Sequence, residues 1–235
     1  MPDPDRAPIL LLTRPMAAAQ RFAQQLGLQV ETIFSPLMRI ECLNIAPQTD
    51  DLQGIILTSE NGAFAAGQIA GLPRVAWCVG ARTAEVAKEQ GFDPISADGD
   101  AQNLISLILS RGVPGPLLHL HGEHVRGDVT GRLNAAGVVA RATVAYRQHS
   151  QPLTQIALNA LTGNRPVILP LFSPRTVTIL GQSGPFNAPL HVIAIGKTVA
   201  ELALGLHPTS AIQSKSPDAA SMTRAVRDCL KFVSI

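Results

Sequence analysis

The chain has 235 residues, 46% of them hydrophobic and only 15% charged, with a formal net charge of +2. That composition supports a buried core rather than disorder, and a charge so near neutral argues against a general nucleic-acid binder, which would carry a basic stripe. Three cysteines, Cys42, Cys78 and Cys229, are widely spaced with no CxxC pair, which argues against a disulfide framework or thiolate zinc site and fits a reducing compartment.

Acids and prolines occupy 1–8, where a signal peptide needs a basic region and an apolar run. No apolar stretch approaches the ~20 residues that span a bilayer. The expectation is a soluble, cytoplasmic protein with no membrane partner. Ile9 to Leu12 is an all-apolar run, as expected of a strand buried on both faces, and Thr13-Arg14-Pro15 breaks it. Ala19, Phe22, Ala23 and Leu26 recur at helical spacing, with Gly27 at the stop position. Ile55 to Leu57 predicts the next buried strand, ending in Thr58-Ser59-Glu60-Asn61-Gly62. Val75 to Val79 predicts another, running into Gly80-Ala81-Arg82-Thr83 and a helix. Asp100 is placed to cap a helix containing Leu104, Leu107 and Ile108. Alternating strands and helices predict parallel sheets covered by helices.

The second half repeats this order. Val167 to Phe172 leads into Ser173-Pro174-Arg175, and His191 to Ile195 leads into Gly196-Lys197-Thr198-Val199. Serine-to-glycine spacing is 21 residues from Ser59 to Gly80 and 23 from Ser173 to Gly196. Ser216-Pro217 is expected to open the last helix. Pro170 inside a predicted strand suggests an edge position or a bulge. The strand Leu117 to Leu120, with His121-Gly122-Glu123-His124-Val125-Arg126 after it, comes last in its half, whereas its counterpart, Leu10 to Pro15, comes first. Two lobes on one plan, one inserted into the other, account for this shift. Lobe one is expected over 1–37 and 150–235, lobe two over 43–143, and a two-stranded hinge ladder over 38–42 and 144–149.

Ligands of parallel sheets sit beyond the carboxyl ends of the strands. Hydroxyls at Thr58, Ser59, Thr83, Ser173 and Thr198 are candidates to bind an anionic ligand there, although each taken alone reads first as a cap for its own helix. Their recurrence in both halves favours a polyanion enclosed by two lobes. Arg14 and Arg126, each just beyond a strand, are candidates for salt bridges to ligand carboxylates. Neither GxxxxGK[ST] nor GxGxxG is present, so a dinucleotide or phosphate loop is not expected. His119, His121 and Glu123 would share a strand face but match no standard ligand spacing, so no metal site is expected. Tyr146, the sole tyrosine, falls in the hinge. Its phenol could donate a proton to a leaving hydroxyl, or serve only as an amphipathic interface residue.

In order, the segments LLLTRP (10–15), ILTSENG (56–62), VGARTAEVAKEQG (79–91), HGEHVRGDVTGRL (121–133), VAYRQ (144–148), LFSPRTV (171–177) and IGKTVAE (195–201) resemble the uroporphyrinogen-III synthase family. The resemblance implies two flavodoxin-like α/β lobes with parallel sheets, one inserted into the other, joined by a two-stranded β ladder. It implies a cofactor-independent lyase of porphyrin biosynthesis that cyclises hydroxymethylbilane with inversion of ring D. It further implies Tyr146 as the catalytic proton donor and Thr58, Ser59, Thr83, Ser173 and Thr198 as substrate-binding hydroxyls. Arg14, Arg126 and Arg175 would orient the substrate and neutralise its carboxylates. The partners so implied are hydroxymethylbilane itself and transient contact with hydroxymethylbilane synthase, the chain working as a monomer without metal or organic cofactor. The competing reading is a non-catalytic two-lobed protein that binds a tetrapyrrole or other polyanion. Glu60 fits less well, because it adds negative charge at a turn expected to meet carboxylates.

Overall fold

The computed structural model describes residues 7–124 and 127–233. β1 (Ile9–Leu12), α1 (Met16–Leu26), β2 (Glu31–Phe34) and β3 (Met38–Cys42) come first. Next are β4 (Gly54–Leu57), α2 (Glu60–Ala66), β5 (Val75–Cys78), α3 (Ala81–Glu89), β6 (Asp93–Ser96) and α4 (Ala101–Ser110). β7 (Leu117–Gly122), α5 (Val129–Ala135) and the long β8 (Ala140–Ser150) follow. Then come α6 (Gln155–Thr162), β9 (Val167–Leu171), α7 (Pro174–Gly181), β10 (Leu190–Ala194), α8 (Lys197–Ala203), β11 (Ser210–Gln213) and α9 (Ala219–Val233). The chain divides into two compact units, one taking the chain up to Arg39 together with His149 onward, the other Ile40–Gln148. Both boundaries fall inside strands, β3 and β8, which are hydrogen-bonded neighbours.

The first unit holds a sheet in the order β11-β10-β9-β1-β2, parallel throughout. Alternation sends Ile9 and Leu11 into one core with α6, α7 and α8, and Leu10 and Leu12 into the opposite core with α1 and α9. Covering both faces is what requires β1 to be apolar at every position. α1 stops at Gly27, whose φ of 58° is the left-handed conformation that glycine adopts without a Cβ penalty. Arg227 from α9 donates to the carbonyl of Leu26, tying the two helices together.

The second unit holds the order β3-β8-β7-β4-β5-β6. Taken in chain order, the first unit reads 2-1-3-4-5, the flavodoxin-like order. β8-β7-β4-β5-β6 gives the same order only when β7 is counted first, β8 second and β4 third. The repeat is therefore displaced along the chain, with β7 matching β1 and β4 matching β9. Tyr146 and Leu118 pack with α2 and α3 on one face; Leu117 and Ile56 pack with α4 and α5 on the other.

Two sequence expectations are corrected here. Pro170 lies in β9, the central strand, and is buried in regular register with Ile193, not at an edge or bulge. Leu171 accepts from Ile195 on the β10 side, so Pro170 faces β1, and the β1–β9 pairing ends at Leu10↔Ile168. The missing N–H stops the β1–β9 ladder there, although β1 continues to Leu12 and β9 to Leu171. The last helix opens at Ala219 rather than at Ser216-Pro217. The Asp218 carboxylate accepts from the Ser221 N–H at 2.7 Å, the bond of a helix-capping residue.

Candidate active site

Three neighbouring strands, β4, β7 and β8, bring their carboxyl ends together in the second unit. Ser59 follows β4 and caps α2, its Oγ accepting from the Gly62 N–H at 3.0 Å. The same Oγ lies 3.0 Å from the Tyr146 hydroxyl, which β8 supplies. Tyr146 is 7% exposed, and its ring rests directly on Gly122 at the end of β7. A Cβ at Gly122 would stand 2.6 Å from the ring, so the phenol occupies space that only a glycine leaves open. A break in register between His121 and Gly122 pairs Gly122 with Tyr146 and turns both to the same side.

A second pair forms on the opposite face of the same sheet. Thr58 Oγ1 and His119 Nε2 are 3.1 Å apart, and His119, two residues after Leu117 on β7, shares its face toward α4 and α5. His119 is 2% exposed. Burial pulls its pKa down to about 4, with the neighbouring His121 adding to the shift, so the ring is neutral near pH 7. The two imidazoles stand 5.0 Å apart, and His121 Nδ1 donates to the Gly122 carbonyl at 2.8 Å. Glu60, whose charge fitted poorly at this turn, is engaged by Arg82 Nε at 3.4 Å, and Arg82 also bonds Glu85. Thr83 is buried at the third position of α3, behind Gly80.

The first unit repeats the pattern with different partners. Ser173 caps α7 with nearly the same backbone angles as Ser59, accepting from the Thr176 N–H at 3.1 Å. Its hydroxyl pairs with Thr176 Oγ1 at 2.8 Å rather than with a phenol. Arg14, beyond β1, lays its guanidinium over the Phe172 ring at 4.1 Å, and Phe22 meets that ring edge-on. Phe172 directly precedes Ser173, the cap of α7, and Arg175 stands in the first turn of that helix; both are half-buried. Gly196 and Gly80 have matching extended backbones, and Val199 takes the buried position that Thr83 has in α3. Thr198 stands one residue earlier and is exposed.

The structure thus joins Ser59 to Tyr146 and sets Thr58 apart on the other face of the sheet. It sets Arg14 on Phe172, the residue before Ser173, and leaves Thr83 and Thr198 at non-equivalent helix positions. Arg126 lies outside the described residues. Among the described residues, no group of three or more His, Cys, Asp or Glu is placed to hold a metal ion, and no helix is long and apolar enough to cross a membrane.

A family model described as uroporphyrinogen-III synthase HemD matches residues 18–224, most of the chain. The chain belongs to the uroporphyrinogen-III synthase family. Uroporphyrinogen-III synthetase from Helicobacter pylori is similar in structure, with a TM-score of 0.68 at 16% identity over 95% of this chain and 99% of that one. Uroporphyrinogen III synthase from Thermus thermophilus aligns at 18% identity over 97% and 99% of the two chains, with a TM-score of 0.39. No curated protein matches the sequence. Family membership makes the chain one of a group of lyases in porphyrin and haem biosynthesis, with a small tetrapyrrole as substrate.

Several neighbours of these synthase-family residues are not apparent from the sequence as site components: Gly122 beneath the phenol, Gly62 beside Ser59, His119 against Thr58, and Phe172 beneath Arg14. The signal for Gly122 is its place at the end of an otherwise apolar strand in the segment that resembles the family. Nothing in the sequence indicates which strand Tyr146 would lie against.

Proposed function

We propose that this chain is a hydro-lyase that converts hydroxymethylbilane to uroporphyrinogen III, closing the ring with inversion of ring D and releasing water. The observation that carries the reading is the family match across residues 18–224. The geometry supports it with a phenol fixed at the carboxyl ends of parallel strands, where such sheets take ligands. Tyr146 donates its proton to the terminal hydroxyl, which departs as water and leaves an electrophilic azafulvene. The last ring attacks through its substituted carbon, passes through a spiro intermediate and recloses inverted; loss of a proton from the closed ring restores the phenol. An unguided bilane closes without inversion, so holding the chain folded decides the isomer.

Arg14, Arg175, Ser173, Thr58, Thr83 and Thr198 are the proposed carboxylate-binding groups, with Arg126 a further candidate. The three free cysteines support a cytoplasmic location. The test is to mix purified protein with freshly generated hydroxymethylbilane, then oxidise and separate the porphyrin isomers. Predominant type III product without added metal or cofactor is expected. Type I alone, at the rate of a protein-free control, would refute the synthase reading and favour a binding protein.

A further inference from the structure

Ser59 and Ser173 occupy matching positions, yet their hydroxyls are used differently. Three residues after Ser173 stands Thr176, whose own hydroxyl pairs with it. Three residues after Ser59 stands Gly62, which offers a backbone N–H and no side chain. A Cβ there would come within 2.9 Å of the Leu120 carbonyl and 3.4 Å of Ser59 Oγ, so glycine is what lets α2 approach β7 this closely. The Gly62 N–H fixes Oγ in place and occupies one of its two lone pairs. Ser59 keeps one proton to give, and the group 3.0 Å away that can take it is the Tyr146 oxygen.

We infer that Ser59 is the positioning residue of Tyr146 rather than a ligand for substrate carboxylates. This rests on Tyr146 being the proton donor of the proposed reaction. With Ser59 donating to the phenol oxygen, the phenol's own O–H is directed outward to the leaving hydroxyl. As that proton departs, the same bond stabilises the phenolate. Gly122 leaves room for the ring, and Gly62 lets α2 sit close to β7 while its N–H holds Ser59.

Variants at Ser59 separate this role from helix capping. Ser59→Thr keeps both cap and donor. Ser59→Asp keeps the cap, since a carboxylate accepts from Gly62, but has no proton to give to Tyr146. The expected result is near-normal kcat for S59T and a fall of about 10- to 100-fold in kcat for S59D and S59A, with KM little changed. In a Tyr146→Phe background the same Ser59 changes should cost nothing further, because both act through one bond. Losses that add to that of Y146F, or that appear in KM alone, would overturn the inference and make Ser59 a substrate ligand.

A readout independent of turnover comes from Tyr146 being the sole tyrosine. Its ring 13Cζ resonance is a single line, expected to move in S59A and S59D and to stay in the distal control Ser110→Ala. If wild-type protein yields only type I porphyrin while the line still moves, the reaction assignment fails and the positioning contact stands. An unmoved line in S59A and S59D overturns the contact whatever the activity.

Discussion

Replacing Gly122 by alanine adds one methyl group where the phenol sits. Its carbon would stand 2.6 Å from Cζ, 2.7 Å from Cε2 and 2.9 Å from the hydroxyl oxygen of Tyr146. Carbon atoms pack at about 3.5–4.0 Å, so the end of the ring must withdraw by about 1 Å. The hydroxyl bond to Ser59, now 3.0 Å, would open toward about 4 Å and cease to count as a hydrogen bond. A misplacement of about 1 Å in a reacting group costs about 100-fold, and that is the expected fall in kcat for type III product. Stability should suffer less, because the obstructed atoms are the far end of a side chain with two rotatable bonds. A cost of about 1 kcal/mol, or about 2–4 °C in Tm, is expected at the low end for overpacking. The assay pairs single-turnover formation of type III isomer with thermal unfolding followed by circular dichroism. A folded Gly122→Ala protein with wild-type kcat would refute the claim that the glycine holds room for a catalytic phenol.

Gly62→Ala should behave in the opposite way, since its Cβ meets the Leu120 backbone carbonyl at 2.9 Å and a strand must shift. Its loss of about 1–3 kcal/mol should appear in denaturant unfolding; a midpoint equal to wild type would refute the close approach. His119 has a folded-state pKa near 4, below its ordinary value, so the unfolded chain takes up this proton first as pH falls. Its contribution is complete above about pH 6.5 and declines through the window down to pH 4, by on the order of 3 kcal/mol. His119→Gln should flatten that part of the stability profile, and an unchanged slope would sink the assignment. Arg82→Ala releases Glu60 from its ion pair and should raise KM for the polyanionic substrate severalfold while leaving kcat alone; a fall in kcat with constant KM would contradict it. Burial raises all three thiols, Cys78 up to about 12, but only Cys42 is half-exposed, so a thiol reagent should reach Cys42 first and the other two only on unfolding.

Much of the fold is legible in the sequence because its signals are local. Buried parallel strands announce themselves as unbroken apolar runs, as in β1 and β4, since a strand covered on both faces favours apolar side chains at every position. The edge strands β6 and β11 send no such signal; Ser210–Gln213 is largely exposed, and its place depends on pairing with β10 rather than on its own residues. Pro170 misleads for a related reason, because a proline in a central strand can turn its missing N–H to one neighbour and keep full register with the other.

The sequence by itself determined the α/β class, the repeated strand-turn-helix plan, its displacement along the chain and the polar residues at the strand ends. Those follow from periodicity and capping, which act over a few residues. Only the tertiary structure decided what each polar residue touches. Ser59 and Tyr146 are 87 positions apart, and Thr58 and His119 are 61 apart; adjacent in sequence, Thr58 and Ser59 serve opposite faces of one sheet. Those pairings come from strand order, from alternation and from a one-residue break in register beside Gly122, which becomes visible only when β7 and β8 lie side by side.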